Sequence, residues 1–223
     1  MQSPATARAL ILDIGGVVLS NARELVRNRS ALGAPAVTAY AEALDFAGPR
    51  DQLWHRMLRH EVTERAYWAQ RAAEIGSVLG HDGWTTRDLV TWLYELPATD
   101  WLADEVVALM HDTKAAGLPL VALTNDLADF HGQDWADAQE WLEHFDTVVD
   151  GSKTGVLKPE PAAYEMAIAA AGVPAAETVY LDDMPVNVIG GLAVGLQALE
   201  VDHYDKAAAV AEARRRLGLA TVS

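Results

Sequence analysis

Cysteine is missing from all 223 positions. That removes disulfides, thiol nucleophiles and thiolate metal sites in one step. It also fits a reducing compartment, so a cytoplasmic location is expected. Basic residues are scarce: 17 Lys and Arg stand against 32 Asp and Glu, a formal net charge of −15. No basic face is available for a phosphate backbone or an anionic lipid surface, so neither nucleic acid nor membrane is an expected partner. No apolar run approaches the roughly 20 residues of a membrane span. The first apolar stretch has only Arg8 before it and is broken by Asp13, so it does not read as a signal peptide. Repeats and low-complexity tracts are absent as well. What is present is a chain with 51% apolar residues, enough for one large core or a core with a small insertion. An acidic chain of this kind binds a phosphate only locally, through a few cations or a metal.

Five short apolar runs read as strands: Ala9–Ile14, Leu118–Leu123, Thr147–Val149, Thr178–Leu181 and Gln197–Val201. Helical stretches alternate with them. Pro161–Ala171 has Pro at its start and Gly172 just past its end, and Trp101–Ala116 carries Leu102, Val106, Leu109 and Met110 on one face and stops at Gly117. This alternation predicts an α/β fold with a parallel, doubly wound sheet. The segment from Asn21 to Pro97 breaks the pattern and reads as helices over Pro35–Ala47, Asp51–Arg59, Thr63–Leu79 and Thr85–Leu96. Trp54, Trp68, Trp84 and Trp92 are expected to form a small core there. The organisation expected is a core of residues 1–20 and 98–223, with residues 21–97 as a helical cap inserted after the first strand. The residues after Gly218 read as a loose end.

The chemistry gathers at strand ends. The run ALILDIGGVVL delivers Asp13 to the tip of a buried strand, and the glycines at 15 and 16 read as a tight turn. A lone acid there is more commonly a turn cap than a catalyst. Two later strands end on Thr124-Asn125-Asp126 and on Asp182-Asp183, and Lys158 precedes Pro159 in an extended conformation ahead of a helix. Ligands of open α/β sheets bind beyond the carboxyl ends of the strands, so these residues are expected to converge. Asp13, Asp182 and Asp183 would repel one another without a hard cation, and oxygen donors of this type suit Mg²⁺. The Thr124 hydroxyl, nearby backbone N–H groups and the Lys158 ammonium suit phosphate oxygens. Gly15-Gly16 lacks the spacing of a dinucleotide-binding loop, and Gly190–Gly195 lacks the lysine of a P-loop.

The segments ALILDIGGVVL, LVALTND, GVLKPEPAAYEMAI and VYLDDMPVNVIGGLAVGL, in this order, resemble the motifs of the haloacid dehalogenase-like (HAD) hydrolase superfamily. The stretch HEVTERAYWAQRA is similar to a pattern in the helical cap of one branch of it. The resemblance implies a Rossmann-like sheet flanked by helices and a hydrolase acting on a small phosphorylated metabolite. It implies Asp13 as nucleophile, forming an aspartyl-phosphate. Thr124 and Lys158 would hold the phosphoryl oxygens, and Gly16 and Asn125 would join them in binding substrate. Mg²⁺ would be held by Asp13, the Gly15 carbonyl and Asp183, with Asp182 in or next to the set. Asn187 would fix the Asp182-Asp183 loop. A monomer and a homodimer are both compatible with the sequence.

One position departs from the pattern. Most phosphatases of the family carry a second Asp two residues after the nucleophile, as proton donor to the leaving group; here Gly15 stands there. A positioned general acid is worth roughly 10²–10⁴-fold, so alkyl phosphates are expected to be poor substrates and aryl, acyl or anomeric sugar phosphates better ones. Related sugar-phosphate phosphatases with glycine at this point resemble the chain in this respect. His55, His60 and Glu61 are candidate stand-ins, although surface positions explain them better. Two alternatives remain at this level. A metal-independent 2-haloacid dehalogenase needs no acid, but leaves the Asp182-Asp183 pair uncompensated. A non-catalytic binding protein has no use for Asp13.

Overall fold

In the computed structural model the five strands are β1 (Ala9–Leu12), β2 (Leu120–Thr124), β3 (Thr147–Asp150), β4 (Thr178–Asp182) and β5 (Gln197–Glu200). They form one parallel sheet in the order β3-β2-β1-β4-β5. The structure describes residues 6–59, 61–202 and 205–220. The chain divides into two compact units, residues 1–19 with 102–223, and residues 20–101.

The unit of residues 20–101 contains helices α1 (Ala22–Ala31), α2 (Pro35–Leu44), α3 (Gln52–Leu58), α4 (Glu64–Val78) and α5 (Thr86–Leu93). The first of these is absent from the sequence-based expectation, although Asn21 and Glu24 form a reciprocal capping box at its start. Helix α2 ends three residues early because Asp45 takes a left-handed conformation, φ 56°. Asp51 and Thr63 are N-caps rather than helical residues, their side chains accepting from Leu53 and Trp54 and from Ala66. The four tryptophans are only half-buried. The interior is built instead from Val26, Val37, Phe46, Tyr67, Ile75, Leu89 and Leu93. Within it, Arg71 is paired with fully buried Asp51, which also accepts from the Tyr67 hydroxyl at 3.2 Å and the Ala47 N–H at 3.0 Å.

The sheet unit adds α6 (Asp104–Ala115), α7 (Leu127–His131), α8 (Gln133–Asp137), α9 (Gly151–Thr154), α10 (Pro161–Ala171), α11 (Pro185–Ala193) and α12 (Lys206–Leu217). Helices α10 and α11 cover one sheet face, where Ile11, Val121, Leu123 and Tyr180 meet Tyr164, Ala167 and Val188. Helices α6 and α12 pack on β2, β4 and β5 from the other side. Strands buried on both faces must be apolar at consecutive positions, which is why ALIL and LVALT read as unbroken runs. The helix expected from Trp101 begins only at Asp104, and β1 stops two residues short of its expected end, at Leu12. No helix of the described residues is long and apolar enough to cross a membrane.

Candidate active site

The chain runs outward from β1 through β2 to β3, then returns to place β4 beside β1. Such a reversal opens a crevice at the carboxyl ends of the two central strands. Pairing of Leu12 with Leu181 brings Asp13 and Asp182 side by side there. The Asp13 N–H still donates to the Leu181 carbonyl at 2.9 Å, so the acid is held by the last rung of the sheet. Its carboxylate Oδ1 accepts the Ile14 N–H at 2.7 Å, capping the five-residue turn Ile14–Val18. Asp13 is thus a turn cap and a buried acid at once.

Three carboxylates meet at this point. One oxygen from each of Asp13, Asp182 and Asp183 lies within 4.8 Å of the others. The Lys158 side chain, 1% exposed, places its ammonium 2.9 Å from Asp13 Oδ1 and 2.7 Å from Asp182 Oδ2. Burial pushes the Asp13 carboxyl up to about 7; Lys158 opposes that shift and Asp182 adds to it. Lys158 itself is held well above the ordinary lysine range by the two carboxylates, which outweigh its burial.

The two members of the Asp182-Asp183 pair differ sharply. Asp182 is fully buried and both its oxygens are engaged. Oδ1 accepts from the Met184 N–H at 2.8 Å and the Asn187 amide at 3.1 Å, and Oδ2 from Lys158 and the Tyr180 hydroxyl. Asn187 therefore fixes this loop. Asp183 is half-buried and abuts Gly16, with φ 70°; a β-carbon on Gly16 would lie 2.1 Å from Asp183 Oδ2. Gly15 is different from the expectation of a residue required by the turn. Its φ and ψ of −64° and 132° suit any residue, and a β-carbon there would meet nothing within 4 Å.

Thr124 is the last residue of β2, 6% exposed, beside Asp150 across the ladder. The Asn125 side chain is engaged with the Lys158 backbone, accepting its N–H at 2.8 Å and donating to its carbonyl at 3.2 Å. This clasp, not the pre-proline position alone, aims the lysine. Three supports were not anticipated. Tyr180 shares a strand face with Asp182, a relationship that period-two alternation makes visible. Tyr164 holds the Asn187 carbonyl at 2.8 Å. Asp150 braces the loops after β2 and β3 through Ala128 N–H at 3.0 Å and Ser152 N–H at 3.0 Å. Of the candidate stand-ins for a proton donor, His55 contacts the Pro49 carbonyl at 2.7 Å and Glu61 pairs with Arg59 at 2.7 Å, both inside the helical unit. His60 lies outside the described residues.

Residues 7–195 match the family model of haloacid dehalogenase-like hydrolases. Acyl-CoA dehydrogenase family member 10 of Mus musculus is 23% identical over 214 residues, 92% of this chain and 19% of that protein. The chain therefore spans about a fifth of that relative's length. Phosphoserine phosphatase of Thermus thermophilus is 26% identical over 211 residues, 91% of this chain and 84% of that one. Among solved structures, the HAD-hydrolase YfnB of Bacillus subtilis, bound to magnesium, superposes with a TM-score of 0.60 at 17% identity, covering 87% of this chain and 86% of that one. This last likeness is one of fold. With the family model matching most of its length, the chain belongs to the haloacid dehalogenase-like hydrolases.

Proposed function

We propose that this hydrolase is a Mg²⁺-dependent phosphatase of a small phosphorylated metabolite, with Asp13 as the nucleophile. The observation that carries the reading is the meeting of three carboxylates with one buried ammonium. Counted as ionised, they leave the site two charges negative, and like charges within 4.8 Å of one another repel by at least about 3 kcal/mol at an effective dielectric of about 20. A hard divalent cation with oxygen ligands balances that charge, so the donor set fits the metal. Asp13, Asp183 and the Gly15 carbonyl would hold it, with Asp182 beside the set as the anchor of Lys158. When bound it would supply positive charge against the charge that builds on the transferred phosphoryl group.

In this reading an Asp13 oxygen attacks phosphorus as the bond from phosphorus to the leaving oxygen breaks, and the leaving group takes the bonding pair. Lys158 and Thr124 hold phosphoryl oxygens, and Lys158 also screens the approach of an anionic nucleophile to an anionic ester. Water then hydrolyses the acyl phosphate on Asp13 and restores the carboxylate. Gly15 presents no side chain to protonate the leaving oxygen, which favours esters whose leaving group departs without a proton. The similarity to a phosphoserine phosphatase supports the reaction class. A metal-free dehalogenase gains nothing from Asp183.

The test is hydrolysis of p-nitrophenyl phosphate and of a panel of phosphorylated metabolites, with Mg²⁺ and with EDTA. Turnover that needs Mg²⁺ and disappears in Asp13→Asn is expected. Turnover unaffected by EDTA, or surviving Asp13→Asn, would overturn the reading.

A further inference from the structure

Lys206 stands at an unfavourable place by the rules of helices. It is the first residue of α12, where the positive end of the helix dipole repels a cation, whereas Arg214, Arg215 and Arg216 occupy the favourable last turn. It is also buried, at 8% exposure, and burying an ammonium is costly unless its donors are engaged. Its partners explain the position. The ammonium donates to the Leu19 carbonyl at 3.0 Å and to the Val17 carbonyl at 3.2 Å.

Those carbonyls belong to the segment that leaves the nucleophile. Asp13 caps the turn Ile14–Val18, and the Leu19 N–H closes it on the Ile14 carbonyl at 2.9 Å. The Val18 carbonyl accepts the Ala103 N–H at 2.9 Å. Lys206 takes the carbonyls on either side of it. Val17 and Leu19 are essentially fully buried with the lysine in place, and buried carbonyls need a donor. After Leu19 the chain passes at once into the helical unit, and α12 reaches back from beyond the residues matched by the family model to fasten the last point before that passage.

We infer that Lys206 is a positioning residue for the nucleophile turn: its ammonium fixes the backbone of Val17–Leu19 and thereby the conformation of Gly15 and Gly16 that sets the Asp13 carboxylate against Asp183. The kinetic part of this inference rests on the proposed phosphatase reading; the structural part does not.

Lys206→Met keeps the stem and removes the donors, and Lys206→Arg keeps charge and donors. Hydrogen exchange is followed by mass spectrometry on peptides covering residues 9–22, alongside steady-state kinetics on p-nitrophenyl phosphate with Mg²⁺. In Lys206→Met, exchange is expected to accelerate in that peptide while β2 and β4 keep their protection. With it, kcat falls about tenfold at a KM within about twofold of wild type, and Lys206→Arg recovers both. Unchanged exchange and kcat in Lys206→Met overturn the inference. So does acceleration spread evenly over the sheet unit, which marks a merely structural lysine. If Lys206→Met does not fold, Lys206→Gln is judged by the same two readouts. A wild type without turnover would remove the phosphatase reading, and the exchange experiment would still decide the tether.

Discussion

Gly16 and Asp183 occupy each other's margin so closely that no side chain fits between them: a β-carbon on Gly16 would stand 2.1 Å from Asp183 Oδ2 and 2.5 Å from its Cγ. The backbone at Gly16 is also left-handed, φ 70°, a region L-residues avoid. The glycine is therefore what admits the second carboxylate to the point where Asp13 already stands.

Gly16→Ala is accordingly expected to displace Asp183 and to strain the turn. Isothermal titration should show Mg²⁺ affinity reduced by about tenfold or more, with loss of most Mg²⁺-dependent turnover and a modest destabilisation, on the order of 1–2 kcal/mol for one residue forced into this region. Unaltered Mg²⁺ affinity would show that Asp183 does not take part in holding the ion.

Gly15 offers the opposite case. Its dihedrals are ordinary and the space beyond its α-carbon is open within 4 Å, so Gly15→Asp places a carboxyl there without displacing a neighbour. If the missing proton donor limits the reaction, kcat/KM on alkyl phosphates rises by about tenfold or more while aryl phosphates change by less than about threefold, a part of the range a general acid spans. Equal gains on both classes would show that proton donation is not the limitation.

The raised Asp13 carboxyl gives a pH dependence with a definite sign. A carboxyl lifted from 3.8 to about 7 by burial favours folding below its unfolded value, and that contribution is lost as pH rises through about 7, because the folded state then surrenders its extra proton. In EDTA, Asp13→Asn should therefore melt above wild type at pH 8, with the gap narrowing towards pH 6. Mg²⁺ should raise the melting point of wild type more than that of the variant. Titration between pH 5.5 and 8.5 should show Mg²⁺ binding tightening up to about 7 and levelling above it. A pH-independent affinity would mean that Asp13 is ionised throughout.

The strands were legible because parallel strands covered on both faces are apolar without interruption, and ALIL, LVALT and TVYLD say so directly. Helix ends were legible where a proline or a left-handed glycine marks them, as at Pro161 and Gly172. The helix Ala22–Ala31 escaped because charged and polar residues fill most of it, and only the Asn21/Glu24 box announces it. The core of the helical unit departs from the tryptophan pattern for a related reason. Tryptophan is large enough to dominate a sequence pattern yet rarely fits fully inside, and Tyr67 and Phe46 fill the interior instead.

The sequence alone determined which chemistry is available: acids and a hydroxyl at the ends of apolar strands, one lysine ahead of a proline, and no acid at position 15. Only the tertiary structure decided how those groups divide the work. It engaged Asp182 with Lys158, Tyr180 and Asn187, and turned Asn125 onto the lysine's backbone. It also made Gly16, not Gly15, the indispensable glycine, by setting Asp183 against it. Such assignments depend on contacts between residues far apart along the chain, and a linear pattern carries no record of which of two adjacent carboxylates faces inward. Strand register and the reversal of strand order supply that record.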